Sequence, residues 1–230
     1  MKAALLETIQ RLRDAKRAFV VITDLGDGTQ SLFDPADPTT RPPAALAERA
    51  EAALERDRSE RVDDDGRSLF LQVWNPPLCL FLIGAVHITQ ALAVMADRAG
   101  FAVSIVDPRT AFASEARFPG LSISTEWPDR TLDGATLDRR SAVVTLTHDP
   151  KLDDPALAVA LRSPCFYIGS LGSRKTHAAR LGRLRKTGFG DEDIARIHGP
   201  VGLNIGAQSH AEIAVSILAE IIQTLRDPAP

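Results

Sequence analysis

The sequence predicts an α/β protein, a Rossmann-like doubly wound parallel sheet with a small α/β N-terminal domain. Three observations predict it. From residue 78 onward short apolar runs alternate with helical patterns, as in successive βαβ units. Three Gly-bearing turns run straight into a helix, near residues 84, 172 and 206. The run Leu78–Ile83 is apolar throughout, as a central strand covered on both faces requires.

The N-terminal elements follow from local pattern. Residues 2–14 place Ala3, Leu6, Ile9 and Leu12 at helical spacing, and Ala18–Thr23 is strand-like. Asp24–Gly28 is a turn by composition, and Gln30–Phe33 returns as a short second strand. Asp34–Pro43 is a loop rich in Pro, Asp and Thr, and Ala44–Arg56 is a helix of Ala, Leu and Glu. Asp57–Gly66 is expected to be a charged loop leading to a strand at Ser68–Trp74. Asn75-Pro76-Pro77 ends that strand and marks a boundary between a small α/β region, 1–75, and a Rossmann-type domain, 76–230.

After the boundary, strands are expected at Leu78–Ile83, Ala102–Val106, Leu121–Glu126, Ala142–Thr147 and Cys165–Ile168. Helices are expected at Thr89–Ala99, Pro155–Leu161, Ser173–Thr187, Asp191–Ile197 and Ser209–Arg226. Asp154 is the expected N-cap of the second of these, with Pro155 in its first turn and Asp153 a further cap residue. Ser209 and Glu212 have capping-box spacing. The stripe Ile213, Ile217, Ile221 and Leu225 belongs to the core or to a dimer surface.

Composition narrows the function. A net charge of −3 argues against binding nucleic acid through bulk charge. The apolar run Leu78–Val86 is too short to span a bilayer. Met1–Gln10 carries Lys2 and Glu7 in a helical pattern unlike a secretory leader, so a cytoplasmic location is expected. Cys79 and Cys165 fall in apolar strands with neither metal nor disulfide spacing, and no metal site is expected. The basic set Arg174, Lys175, Arg180, Arg183, Arg185 and Lys186 reads as the solvated face of a helix.

The chemistry gathers at strand ends. Gly84-Ala85-Val86-His87 occupies the place of a dinucleotide-binding turn, and Asp107 follows Gly84 by 23 residues, where a ribose-binding carboxylate belongs. Val86 and Thr89 stand where further glycines would let the backbone approach a pyrophosphate. Arg109 offers a fork of donors for a phosphate. His148 beside Asp149 has the makings of a base or a hydrogen-bonding clamp. Gly169–Thr176 carries Arg174 and Lys175 in the first turn of a helix, where the macrodipole disfavours cations; an anion at Gly172–Ser173 reverses that sign. Asn204, Gln208 and His210 are the ligand-facing candidates of the last loop.

Taken together, the Gly84 turn, Thr147-His148-Asp149, Tyr167-Ile168-Gly169-Ser170-Leu171-Gly172-Ser173-Arg174 and the Gly202–Glu220 block resemble the XdhC/CoxI family. Its members are xanthine dehydrogenase accessory proteins, also described as molybdenum-cofactor chaperones. The resemblance covers roughly residues 76–225. It implies a maturation factor that binds the molybdenum cofactor (molybdopterin) or its nucleotide form and meets a molybdenum hydroxylase apoenzyme, with a homodimer as the expected assembly. The ligand-facing residues implied are Gly84, His87, Asp107, Arg109, His148 with Asp149, Gly172, Ser173 and Arg174.

The family's Gly-Ser-x-Pro-Arg and Gly-Gly-Cys-x-Glu stretches have no counterpart in the region shortened here to Asp24–Pro43. The family's Gly-Ala-Gly-His turn has become Gly84-Ala85-Val86-His87. Two other functions remain open on sequence. An NAD(P)-dependent oxidoreductase is one, although Tyr167 is the single tyrosine and Leu171 stands where a Tyr-x-x-x-Lys pair needs lysine. A ligand-free protein-interaction module on the same fold is the other.

Overall fold

A computed structural model describes residues 3–226, so Lys2, where the first expected helix begins, lies outside the described residues. The chain divides into two compact units, 1–76 and 77–230.

The first unit is a four-stranded antiparallel sheet with a helix on each face. Its strands are β1 (Phe19–Asp24), β2 (Gln30–Phe33), β3 (Glu60–Asp64) and β4 (Arg67–Trp74), ordered β2-β1-β4-β3. Alternation along β1 decides which side chains meet which helix. Val20 and Ile22 pack with Leu46, Ala50, Ala53 and Leu54 of α2 (Ala44–Glu55). Phe19 and Val21 pack with Ile9 and Leu12 of α1 (Ala3–Asp14).

The expected charged loop at 57–66 is in fact strand β3, which pairs antiparallel with β4 from Glu60 opposite Leu71 to Asp64 opposite Arg67. The two-residue turn Asp65-Gly66 has positive φ at both positions, 48° and 76°. That is the type I′ hairpin geometry that Asp-Gly favours. The charges belong to an exposed edge strand, where they discourage edge-to-edge pairing.

The second unit is a six-stranded parallel sheet. Its strands are β5 (Cys79–Ile83), β6 (Ala102–Val106), β7 (Ser122–Ser124), β8 (Ser141–Thr145), β9 (Tyr167–Ser170) and β10 (Ile197–His198). The spatial order is β10-β9-β8-β5-β6-β7. Numbered from β5 as first, the order from the β7 edge is 3-2-1-4-5-6, that of a Rossmann fold.

Along β5, Leu80 and Leu82 face α3 (His87–Arg98) and α8 (His210–Arg226). Phe81 and Ile83 face the opposite layer, formed by α4 (Pro128–Gly134), α5 (Pro150–Leu161), α6 (Arg174–Lys186) and α7 (Asp191–Ala195). Both faces are therefore dry, which explains the uninterrupted apolar run.

Several boundaries differ from expectation. α5 begins at Pro150 under an N-cap from Asp149, whose Oδ1 accepts from the Lys151 amide at 2.9 Å. Asp153 and Asp154 are therefore not caps. Asp154 holds Arg183 through two hydrogen bonds, and Asp153 is buried. Pro155 lies inside the helix. β9 runs two residues further on than expected because Cys165 precedes the paired segment. Burial, offset in part by a bond from Ser163, pushes the Cys165 thiol up, consistent with a small apolar packing role.

The loop after β10 is tied to α8 through Glu220. Its Oε2 accepts from the Tyr167 hydroxyl and from the Gly202 amide, while His198 stacks on Tyr167 with ring centroids 4.6 Å apart. Burial and the neighbouring carboxylate push the Tyr167 phenol far up, so it stays a donor. Tyr167→Phe leaves that carboxylate short of one donor and is expected to cost about 1.5–3 kcal/mol. Urea unfolding followed by circular dichroism checks this, as a lowered midpoint with an unchanged slope.

Candidate functional site

Ligands of this topology collect at the strands' C-terminal ends, where β5 and β8 send their following chains in opposite directions. Every residue predicted for the site lies at this edge. Gly84 and His87 follow β5, Asp107 and Arg109 follow β6, His148 and Asp149 follow β8, and Gly172, Ser173 and Arg174 follow β9.

The β5 turn is held from three sides. Gly84 has φ +107°, and a Cβ there would overlap the Thr147 Cγ2 methyl from the β8 loop. Asp107 is fully buried, and its Oδ2 accepts from the Ala85 amide at 2.8 Å. Arg117 donates from Nη1 to the Ala85 carbonyl at 2.7 Å and from Nη2 to Gln90. The Val86 amide donates to the Thr89 hydroxyl at 3.3 Å, and that hydroxyl donates to the Gly84 carbonyl. The Ala85 and Val86 amides are thus spent inside the protein. A pyrophosphate in the usual dinucleotide pose has neither to claim.

Asp107 is a positioning group. Arg109 grips it with Nε at 2.9 Å and Nη2 at 2.8 Å, and the Arg109 amide adds a bond at 3.0 Å. Burial pushes the Asp107 carboxyl up, but the bonds from Arg109 and Ala85, with the Arg109 charge, outweigh it and hold the carboxyl below its usual 3.8. A depressed folded pKa contributes stability that is present above the unfolded value and lost as pH falls through the folded one. Denaturant midpoints should therefore fall as pH drops below about 4, and Asp107→Asn should flatten that part of the profile. Arg109 remains partly exposed, with Phe112 under its guanidinium at 4.8 Å.

The β8 loop places His148 at φ +63°, a strained setting for a side chain other than glycine. Thr147 fixes it. Its hydroxyl donates to Asp153 Oδ1 at 2.6 Å and accepts from the Asp149 amide at 3.0 Å. His148 itself is exposed at the edge. His87 and His210, at the first positions of α3 and α8, are also exposed, and their rings stack 5.4 Å apart.

The β9–α6 turn carries Gly172 at φ +148° and Ser173 as N-cap, its Oγ accepting from the Thr176 amide at 3.1 Å. Arg174 and Lys175 are exposed and form no ion pair among the described residues. Beneath the turn lies Arg180, which does not join the expected solvated face; its side chain is 2% exposed. Its Nη2 donates to the Leu171 carbonyl at 3.1 Å and to Asp153 Oδ2 at 3.3 Å. Nε and Nη1 are buried without a partner. An unmet buried donor costs about 1–3 kcal/mol. Burial lowers the Arg180 pKa and raises that of Asp153, so desolvation bears heavily on both charges of this pair.

The second Gly-rich turn is closed over residues 201–203. Val201 donates to the Ser170 carbonyl, Gly202 to Glu220 and Leu203 to the Ser216 carbonyl. Glu212 accepts from the Ser209 and Gln208 amides, capping α8 internally. Sequence reasoning missed Arg117 and Asp153 as parts of the site and placed Arg180 outside it. No group of three or more His, Cys, Asp or Glu side chains that could hold a metal occurs among the described residues. Nor is any described helix long and apolar enough to cross a membrane.

The family model described as the XdhC Rossmann domain matches residues 80–221. The chain is 35% identical over 162 residues to a probable xanthine dehydrogenase subunit of Bacillus subtilis strain 168, covering 70% of this chain and 47% of that protein. It is 31% identical over 148 residues to the molybdenum cofactor insertion chaperone PaoD of Escherichia coli K12, covering 64% of this chain and 40% of the relative. A third relative, YqeB of the same E. coli strain, is uncharacterized; it is 34% identical over 163 residues, 71% of this chain and 30% of its own length. The chain thus spans between about a third and a half of the curated relatives it matches. The crystal structure of a xanthine dehydrogenase from Bacillus halodurans superposes with a TM-score of 0.73 at 23% identity, over 98% of this chain and 68% of that one. At that identity the likeness establishes the fold.

Proposed function

The chain belongs to the XdhC family, and on that premise we propose that it is a non-catalytic maturation factor for a molybdenum hydroxylase such as xanthine dehydrogenase. It binds the molybdenum cofactor, or the nucleotide form of it, at the C-terminal edge of the parallel sheet. Its partner is the hydroxylase apoenzyme. The printed roles of two relatives, a cofactor insertion chaperone and a probable xanthine dehydrogenase subunit, support this reading.

The observation that carries it is the distribution of charge at the edge. Asp107, Asp149, Asp153 and Glu212 are all consumed by internal hydrogen bonds. Arg174 and Lys175 point outward without counter-charges, and Arg109 exposes part of its guanidinium. Such an edge suits a ligand bearing phosphate. Arg109, Ser173 and Arg174 would hold the phosphate, and His87 and His148 offer flat, exposed rings for the pterin. Gly172 heads a turn whose amides at 172–174 are unclaimed by the protein among the described residues, while Gly84, packed against Thr147, Asp107 and Asp149 position the loops.

When bound, the cofactor supplies the molybdenum centre used by the recipient enzyme. Cys79 opens β5 and Cys165 precedes β9, so both lie at the opposite end of the sheet from the site. The protein therefore holds the ligand through phosphate and ring rather than through a thiolate. Calorimetric titration with molybdopterin under anaerobic conditions tests this. Arg174→Glu with Lys175→Glu should weaken binding by about tenfold or more, equivalent to at least 1.4 kcal/mol. Unchanged affinity in that variant would remove the charged edge from the account.

A further inference from the structure

We infer that the β9–α6 turn is a seat for a phosphate or pyrophosphate group, with the buried Arg180 guanidinium as its floor. This rests on the reading that the edge takes a phosphorylated ligand, and it names the place where the phosphate goes. Four independent features meet at the turn.

The first is the helix terminus. α6 is 13 residues long, and its N-terminus brings partial positive charge to the turn. Among the described residues, no protein group accepts from the amides of Gly172, Ser173 or Arg174. The second is the glycine. Gly172 has φ +148°, and a Cβ there would press on Thr176 at 3.1 Å, so glycine is what lets the turn sit this close to α6 and Arg180. The third is the pair Arg174 and Lys175, cations at the helix end where they are least favoured unless an anion is present.

The fourth is Arg180, which separates this turn from an ordinary helix start. Asp153 and Leu171 together use only its Nη2. Nη1 lies 3.7 Å from the position of a Gly172 Cβ and has no partner, and Nε has none either. An arginine kept solely to neutralise Asp153 would not need to be aimed at a glycine turn. Water is excluded around it, so its charge acts on the turn in a low-dielectric setting. The guanidinium fork suits a phosphate oxygen as the turn adjusts around a ligand. The other Gly-rich turn lacks such a buried cation, and its Val201, Gly202 and Leu203 amides are paired within the protein.

The test is a titration of the isotope-labelled 230-residue chain with inorganic phosphate and, separately, pyrophosphate, followed by amide and arginine side-chain NMR signals. Saturable shifts are expected at residues 172–176 and at the Arg180 side chain. Arg180→Lys, which keeps the charge but loses the fork, should weaken pyrophosphate binding at least tenfold without altering the circular dichroism spectrum. If that variant does not fold, the location of the wild-type shifts decides. The seat is overturned by absence of saturable pyrophosphate binding, by shifts centred on Gly84–His87 instead, or by wild-type affinity in folded Arg180→Lys.

A molybdopterin titration in parallel separates the two claims. Pterin binding that does not respond to Arg180→Lys or compete with pyrophosphate overturns the seat while leaving the cofactor reading intact. Pyrophosphate seated at the turn, in a protein with no pterin affinity, sustains the seat and removes the cofactor reading.

Discussion

Asp153→Ala should destabilise the protein by about 3–5 kcal/mol, the usual consequence of leaving one partner of a buried ion pair without the other. Arg180 would then retain only the Leu171 carbonyl as an acceptor, with its remaining donors in a water-free interior. Thr147 would also lose the acceptor that orients the His148 loop. Replacing both charges with apolar side chains, Asp153→Leu with Arg180→Met, should recover most of the loss, because a buried pair rarely outperforms apolar packing. Guanidinium unfolding of the single and double variants provides the cycle. A double variant as unstable as Asp153→Ala would show that the pair itself sustains the fold. Recovery of stability with loss of anion binding would mark the pair as kept for the site.

Gly84→Ala is the second substitution with a large expected effect. The added methyl meets the Thr147 side chain, and φ +107° is foreign to an L-residue. The left-handed setting alone costs about 1–2 kcal/mol, and the overlap at the β5–β8 contact raises the total to about 3 kcal/mol or more. The consequence is also local. Displacing the turn pulls Ala85 away from Asp107 and loosens Arg109, so binding at the edge should fall more steeply than stability. Thr147→Ser deletes the offending methyl and should restore much of the loss in the double variant. Thermal melting together with ligand titration separates the two effects.

The Rossmann architecture was legible because apolar strands alternate with helical patterns and glycines follow β5 and β9 into their helices. The candidate residues were legible for the same reason, since strand ends fix where ligands collect. Other elements were hidden by competing signals. Asp149-Pro150 and Asp154-Pro155 are the same dipeptide, and local chemistry does not say which of them starts α5. The buried Asp153 shows that the earlier one does. β3 looked like a loop because exposed edge strands are charged, although Asp65-Gly66 announced its hairpin. Arg180 was invisible among six basic residues of one helix. Its burial depends on Asp153, which lies 27 positions upstream and meets it only through the packing of α5 on α6. Tertiary contacts of that kind leave no local pattern.

The central claim is that this sheet edge holds a phosphorylated pterin through outward cations and unspent amides. Native mass spectrometry of protein purified under anaerobic conditions from molybdenum-replete cells tests it most directly. Wild-type protein should carry the mass of molybdopterin or its nucleotide form, and Arg174→Glu with Lys175→Glu should emerge largely unloaded. A wild-type protein with no pterin, and no gain of mass on adding it, would contradict the account, as would equal loading of both proteins.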